Sequence, residues 1–274
     1  MLSEYRQKVL SRIKECEKNC TWDVEVEDNP PSKVLTPDKV DYLNKKLSSK
    51  FLTWLSNRLA VRFYEKMIKN GDFVIKEVKG LENYRLVQGG AFVTCNHFSV
   101  LDNYAIYRSL RKDLGRRRLY KVIKEGNYTS FTGLFGLFFR HCNTLPLSSN
   151  LKTMKKFLEA TKVLLDRGEK ILIYPEQAMW WNYRKPRPMK NGAFNLATKN
   201  NVPIIPAFIT MEDSDKLDAD GYPVQEFTVW FMPPIYPKPE YNEKQNVEYL
   251  REENYRVWKE LYEKTYNIPL EYGD

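Results

Sequence analysis

The sequence predicts an α/β protein whose central, mostly parallel sheet is flanked by helices and preceded by an N-terminal helical extension. Three observations carry that expectation. Short apolar runs recur at residues 73–78, 91–95, 119–123, 171–174, 202–210 and 227–232. Helical patterns fill several of the gaps, at 102–112, 151–167 and 192–200. Amphipathic spacing dominates both the segment before Gly71 and the tail after residue 241. Strands alternating with helices are the pattern of a parallel sheet covered on its faces.

Residues 1–35 are polar, contain Pro30-Pro31 and lack a sustained apolar period, so a helical or partly ordered arm ending in a linker is expected. From Thr36 the chain reads as a capped helix start, with Thr36 as N-cap, Pro37 in the first turn and Asp38 near the positive end of the dipole. Leu43, Leu47, Phe51, Trp54, Leu55, Leu59, Phe63 and Met67 then recur at three- and four-residue steps, predicting one or two amphipathic helices over 36–70. The helical stretch at 151–167 closes on Gly168. The tail places Val247, Leu250, Val257, Leu261 and Thr265 on one face, predicting a last amphipathic helix. The expected division is a helical arm at 1–70 that docks on a membrane, an α/β domain at 71–240, and a C-terminal helix at 241–274 packed on that domain.

A chain of 274 residues, 42% hydrophobic and 14% aromatic, has enough apolar material for one core, and 29% charged residues exclude a fibrous or mucin-like chain. Lys and Arg outnumber Asp and Glu by 44 to 35, so an anionic partner is expected. Helix-turn-helix, RNA-recognition and zinc-finger signatures are all missing, which argues for anionic lipid over nucleic acid. Four scattered cysteines make no disulfide framework, and no apolar window is long enough to span a bilayer. The charged N-terminus has no signal-peptide core, so the expectation is a cytoplasmic protein held peripherally on the inner face of the cell membrane.

One of only two histidines, His97, lies in Asn96-His97-Phe98-Ser99-Val100-Leu101-Asp102, directly after an apolar strand. Open α/β sheets place their sites at strand carboxyl ends. Asp102, at the head of a helical pattern, can fold back to the imidazole and fix its tautomer. The pair would then take a proton from an incoming hydroxyl. The same spacing also suits an unrelated surface pair. A second strand, 171–174, runs into Pro175 and Glu176, which puts a carboxylate at the same sheet edge if the strands are parallel. Glu176 alone also reads as a turn or capping acid. A third segment holds Lys190, Gly192 and the run Val202-Pro203-Ile204-Ile205-Pro206. His141 has no acid at a matching distance, and Cys16 with Cys20 lacks further ligands, so no metal is expected.

Together these segments resemble the lysophospholipid acyltransferase superfamily, the 1-acylglycerol-3-phosphate acyltransferase-like proteins, whose pattern is Asn-His-x-x-x-x-Asp, Phe-Pro-Glu-Gly-Thr-Arg and Lys-x-Gly before a Val-Pro-Ile-x-Pro strand. They stand in that order across about residues 75–235. The resemblance implies transfer of a fatty acyl group from a thioester donor, acyl-CoA or acyl-carrier protein, to a hydroxyl of a lipid acceptor, with no other cofactor. It makes His97 the general base and Asp102 its orienter. Asn96, Ser99, Glu176, Gln177, Arg184, Lys190 and Gly192 are the expected substrate-binding residues.

The chain departs from the pattern at Gln177-Ala178-Met179-Trp180, where the family has Gly-Thr-Arg-Ser. Met179 cannot give phosphate the bidentate contact of arginine. Arg184, Lys185 and Arg187 offer replacement cations, or form only a solvated basic turn. Two alternatives therefore stay open: an acyltransferase for an amine or a glycan or polyol hydroxyl, and a non-catalytic basic protein that binds lipid. In the middle of the chain the Phe/Leu/Gly run at 131–139 suits an acyl groove, a membrane-facing patch or plain core.

Overall fold

The computed structural model describes residues 2–273. Seven strands form one sheet: β1 (Val74–Lys79), β2 (Ala91–Thr94), β3 (Leu119–Ile123), β4 (Thr144–Pro146), β5 (Lys170–Ile173), β6 (Ile204–Leu217) and β7 (Pro223–Phe231). Their spatial order is β1-β7-β6-β2-β5-β3-β4. Every pairing is parallel except β6 with β7. That exception follows from sequence, because only a short turn around Gly221 joins these two strands, and a short turn reverses direction. The edge strand β4 was not legible, since three residues ending in proline carry no periodicity.

The helices are α1 (Glu4–Lys18), α2 (Leu47–Asn70), α3 (Leu81–Arg85), α4 (Asp102–Leu110), α5 (Glu125–Ser130), α6 (Gly133–His141), α7 (Leu151–Asp166), α8 (Gly192–Lys199) and α9 (Glu243–Tyr266). On one face of the sheet, Ala60 and Tyr64 of α2, Ala105 and Ile106 of α4, and Phe138 of α6 pack over Val93, Leu172 and Ile205. On the other face, Phe157 of α7, Phe194 of α8 and Leu250 and Trp258 of α9 pack over Phe92, Ile171 and Ile204. Neighbouring residues of one strand thus enter opposite cores, as the two-residue repeat of a strand covered on both sides requires. Gly168, at φ +79°, lets the Glu169 N–H return to Leu164 O at 3.0 Å and closes α7.

One expectation about the N-terminal region changes. Thr36 opens only a single 3₁₀ turn, Pro37–Lys39, and the long helix begins at Leu47. The reason is the sheet edge. Tyr42 is buried in the core under α7, with its hydroxyl donating to Pro146 O of β4 at 2.7 Å, whereas Ala60 and Tyr64 lie on the opposite face. The chain must pass around β4 between these anchors, which one continuous helix cannot do. Residues before 36 are also firmly held, because Val9 and Ile13 of α1 pack with Val26, Ala178, Trp180 and Trp181 in a third apolar cluster.

Candidate active site

His97 lies in the loop from β2 to α4, and Asp102 is the first residue of α4. The Nδ1 of His97 is 2.7 Å from Oδ2 of Asp102. Asp102 is fully buried, and the same oxygen accepts the N–H groups of Phe98 and Ser99 at 3.3 Å each, while Oδ1 accepts the Tyr174 hydroxyl at 2.7 Å. A carboxylate buried without water is costly unless its lone pairs are met, and here four donors meet them. The imidazole lies flat on Tyr174, ring centroids 4.0 Å apart and planes at 18°. Burial, and next the charge on Asp102, push the Tyr174 hydroxyl well above the usual tyrosine range, so it stays a donor. With Nδ1 committed to Asp102, the imidazole keeps Nε2 for chemistry, on a side chain 22% exposed. Tyr174 is the residue that sequence reading counted only as the end of a strand. Its position between that strand and Pro175-Glu176 was the available signal.

Glu176 is at the same sheet edge, as the parallel pairing of β2 with β5 demands, but it does not face solvent. Its Oε2 accepts the His97 N–H at 3.0 Å and meets Arg187 Nη2 at 2.9 Å, and its Oε1 accepts the Arg187 N–H at 2.8 Å. Arg187 is equally buried. Its guanidinium also donates to the carbonyls of His97 at 3.2 Å, Trp22 at 3.0 Å and Ala178, and lies 4.6 Å over the Trp180 ring. The basic stretch 184–187 is therefore no solvated turn at Arg187. That arginine and Glu176 form a closed pair that fixes the backbone under His97.

The other expected binding residues fall into three groups. Asn96 is buried and pairs with both backbone groups of Ile209, accepting at 2.8 Å and donating at 3.0 Å, so it staples the end of β2 to β6. The Ser99 hydroxyl accepts the Leu101 N–H at 3.2 Å and shapes the same loop. Arg184 is drawn away from His97, donating to Asp213 at 2.6 Å and Gln225 at 3.1 Å on the distal halves of β6 and β7. Lys190 and Gly192 are exposed beside the site, Lys190 donating its backbone N–H to Pro175 O at 2.9 Å and pairing through its ammonium with Asp23 at 3.0 Å. Gln177 is exposed and has φ +69°, the left-handed conformation that glycine tolerates best. That geometry accounts for the glycine of the family pattern at this place. Ala178 and Trp180 are fully buried against α1, so two of the four departures serve packing.

The three-layer α/β fold thus sets a buried aspartate against a partly exposed histidine at the strand carboxyl ends, where open α/β sheets place their sites. The family described as Acyltransferase matches residues 76–210, which contain His97, Asp102, Glu176 and Lys190. The crystal structure of the 1-acyl-sn-glycerophosphate (LPA) acyltransferase, PlsC, from Thermotoga maritima superposes with a TM-score of 0.52. That match spans 80% of this chain and 84% of that one at 17% identity, a likeness of fold. No curated protein matches the chain in sequence.

Proposed function

We propose that this acyltransferase moves a fatty acyl group from a thioester, acyl-CoA or acyl-carrier protein, to a hydroxyl of a lysophospholipid-type acceptor, with His97 as general base. The observation that carries the reading is the 2.7 Å contact of His97 Nδ1 with a fully buried Asp102, which leaves Nε2 to take the acceptor's proton. The acceptor oxygen attacks the thioester carbonyl carbon as its proton passes to Nε2. The new C–O bond stays, the C–S bond breaks, and the proton is returned to the departing thiolate. Asp102 keeps the tautomer and stabilises the imidazolium while it exists. Tyr174, Glu176 and Arg187 hold the two in place.

For a phosphate-bearing acceptor, Lys190 is the cation best suited. Its pair with Asp23 is about half exposed on both sides and so is weak enough to exchange for a ligand. Arg187 is ruled out by its buried pair. A neutral hydroxyl acceptor is favoured by a different observation, namely that Met179 stands in place of the family's arginine and that Arg184 is engaged with Asp213. Among the described residues no helix is long and apolar enough to cross a membrane. Access to a lipid acceptor is supported instead by apolar side chains left outside, Leu47, Phe51 and Trp54 of α2 and Leu134 and Phe135 of α6. The α6 pair adjoins the same helix, since Phe135 packs edge-on to Phe63 of α2 at 5.8 Å. The test is product formation by the purified protein with acyl-CoA or acyl-carrier protein, and with lysophosphatidic acid or monoacylglycerol as acceptor. Transfer to either acceptor supports acyl transfer, and preference between them decides the class. A folded protein that acylates neither overturns the proposal.

A further inference from the structure

A groove of about 540 Å³ opens between α2, the end of α4 and the start of β3, and neither His97 nor Asp102 lines it. Its walls carry six cations, Lys50, Arg58, Arg62, Arg111, Arg117 and Arg118. Only Arg111 has a carboxylate partner among the described residues, Glu65 at 2.8 Å, which it shares with Arg108 at 2.7 Å. Glu169 lies nearby but accepts the backbone N–H of Arg118, and Asp113 is taken by Arg85. Five unpaired cations around one concavity repel each other, and an anionic ligand relieves that repulsion. Elsewhere on this surface Arg and Lys side chains are commonly matched with acids, as in Lys76–Glu212, Lys216–Asp72 and Arg256–Glu260.

The occupant is indicated by what borders the groove. Leu47, Phe51 and Trp54, at 81%, 60% and 53% exposure, step along α2 toward Arg58, whose guanidinium lies 5.0 Å over the Trp54 ring. A soluble anion accounts for the cations alone. A bilayer accounts for both, the apolar stripe entering the acyl region while the groove faces the phosphate layer. Polar lining is added by Asn57 and Asn143. The groove lies at the start of β3 and the end of α4, whereas His97 follows the carboxyl end of β2 and Asp102 begins α4, and none of His97, Asp102, Tyr174 and Glu176 lines the groove. We propose that this groove binds an anionic phospholipid of the membrane surface, its headgroup phosphate held by the arginines of α2 and of the loop before β3. This rests on the membrane-surface reading above and is independent of the acyl acceptor.

The test is vesicle flotation with phosphatidylcholine alone and with about one third phosphatidylglycerol. Arg58→Gln/Arg117→Gln removes two exposed groove cations from opposite walls. Lys45→Gln/Lys46→Gln removes the same charge just outside it. Two charge-assisted contacts of about tenfold each predict that the groove variant loses about 100-fold of the preference for anionic vesicles. The control pair, which feels only the surface potential, loses at most about 25-fold. Equal losses in the two variants overturn the site and leave diffuse attraction. Calorimetric binding of free CoA that the groove variant loses also overturns it, in favour of a nucleotide site. Acyl transfer between soluble short-chain substrates is expected to be unchanged in the groove variant, which separates failure of this site from failure of the catalytic assignment.

Discussion

Replacing Arg187 by methionine separates a phosphate-binding cation from one that holds the active-site loop. Arg187 and Glu176 have side chains 1% and 2% exposed, so removing the guanidinium strands a carboxylate away from water. It also removes donors to the carbonyls of His97, Trp22 and Ala178. Breaking a buried pair from one side costs about 3–5 kcal/mol, and the orphaned carbonyls argue for the upper half of that range. Chemical denaturation should therefore show Arg187→Met destabilised by about 4 kcal/mol. The double variant Glu176→Gln/Arg187→Met should recover part of that loss, because no charge is left buried. Catalysis should fall through kcat, as the backbone carrying His97 loosens. A stability change under about 1 kcal/mol, with a selective rise in KM for a phosphate-bearing acceptor, would refute this reasoning and return Arg187 to the binding site.

Three further outcomes follow from the same geometry. Gln177→Gly should stabilise the protein by about 1 kcal/mol, a rise of roughly 2–4 °C in Tm by calorimetry, because φ +69° suits glycine; an unchanged or lowered Tm would show that the side chain contributes contacts of its own. Tyr174→Phe removes the hydroxyl that Asp102 accepts at 2.7 Å and should lower kcat by about tenfold with little change in either KM, checked by steady-state kinetics. The Lys170 ammonium, donating to Val87 O and Gly89 O, is brought down to about 8 by burial first and by Arg117 second. Between pH 8 and 10 the unfolded chain then binds more protons than the folded one, so this group's contribution to stability rises with pH; urea titrations should show wild type gaining on Lys170→Met across that window.

The order of strands and helices was largely readable because the central strands are buried on both faces and so appear as apolar runs, as in residues 91–93 and 171–173. His97, Asp102 and Glu176 were readable for a related reason, each following such a run at the edge where parallel strands end. What the spacing concealed was the direction in which charges point. Arg184, Arg187 and Lys190 look alike in sequence, yet one reaches Asp213 on β6, one is sealed against Glu176 and one meets Asp23 at the surface. Those partners are distant along the chain, and a local pattern carries no trace of them. The start of α2 at Leu47 was hidden similarly, because burial of Tyr42 across the edge of β4 overrides a good capping signal at Thr36.

The central claim is that His97, held by Asp102, is the base for acyl transfer. Its most direct test is the single-turnover rate of His97→Ala with a purified thioester donor and lysophosphatidic acid or monoacylglycerol, whichever the wild type accepts. Circular dichroism and thermal melting would confirm that the fold is kept. The account predicts a fall of about 10²–10⁴-fold, with Asp102→Asn less severe but in the same direction. A folded His97→Ala protein that transfers acyl groups at the wild-type rate would contradict it.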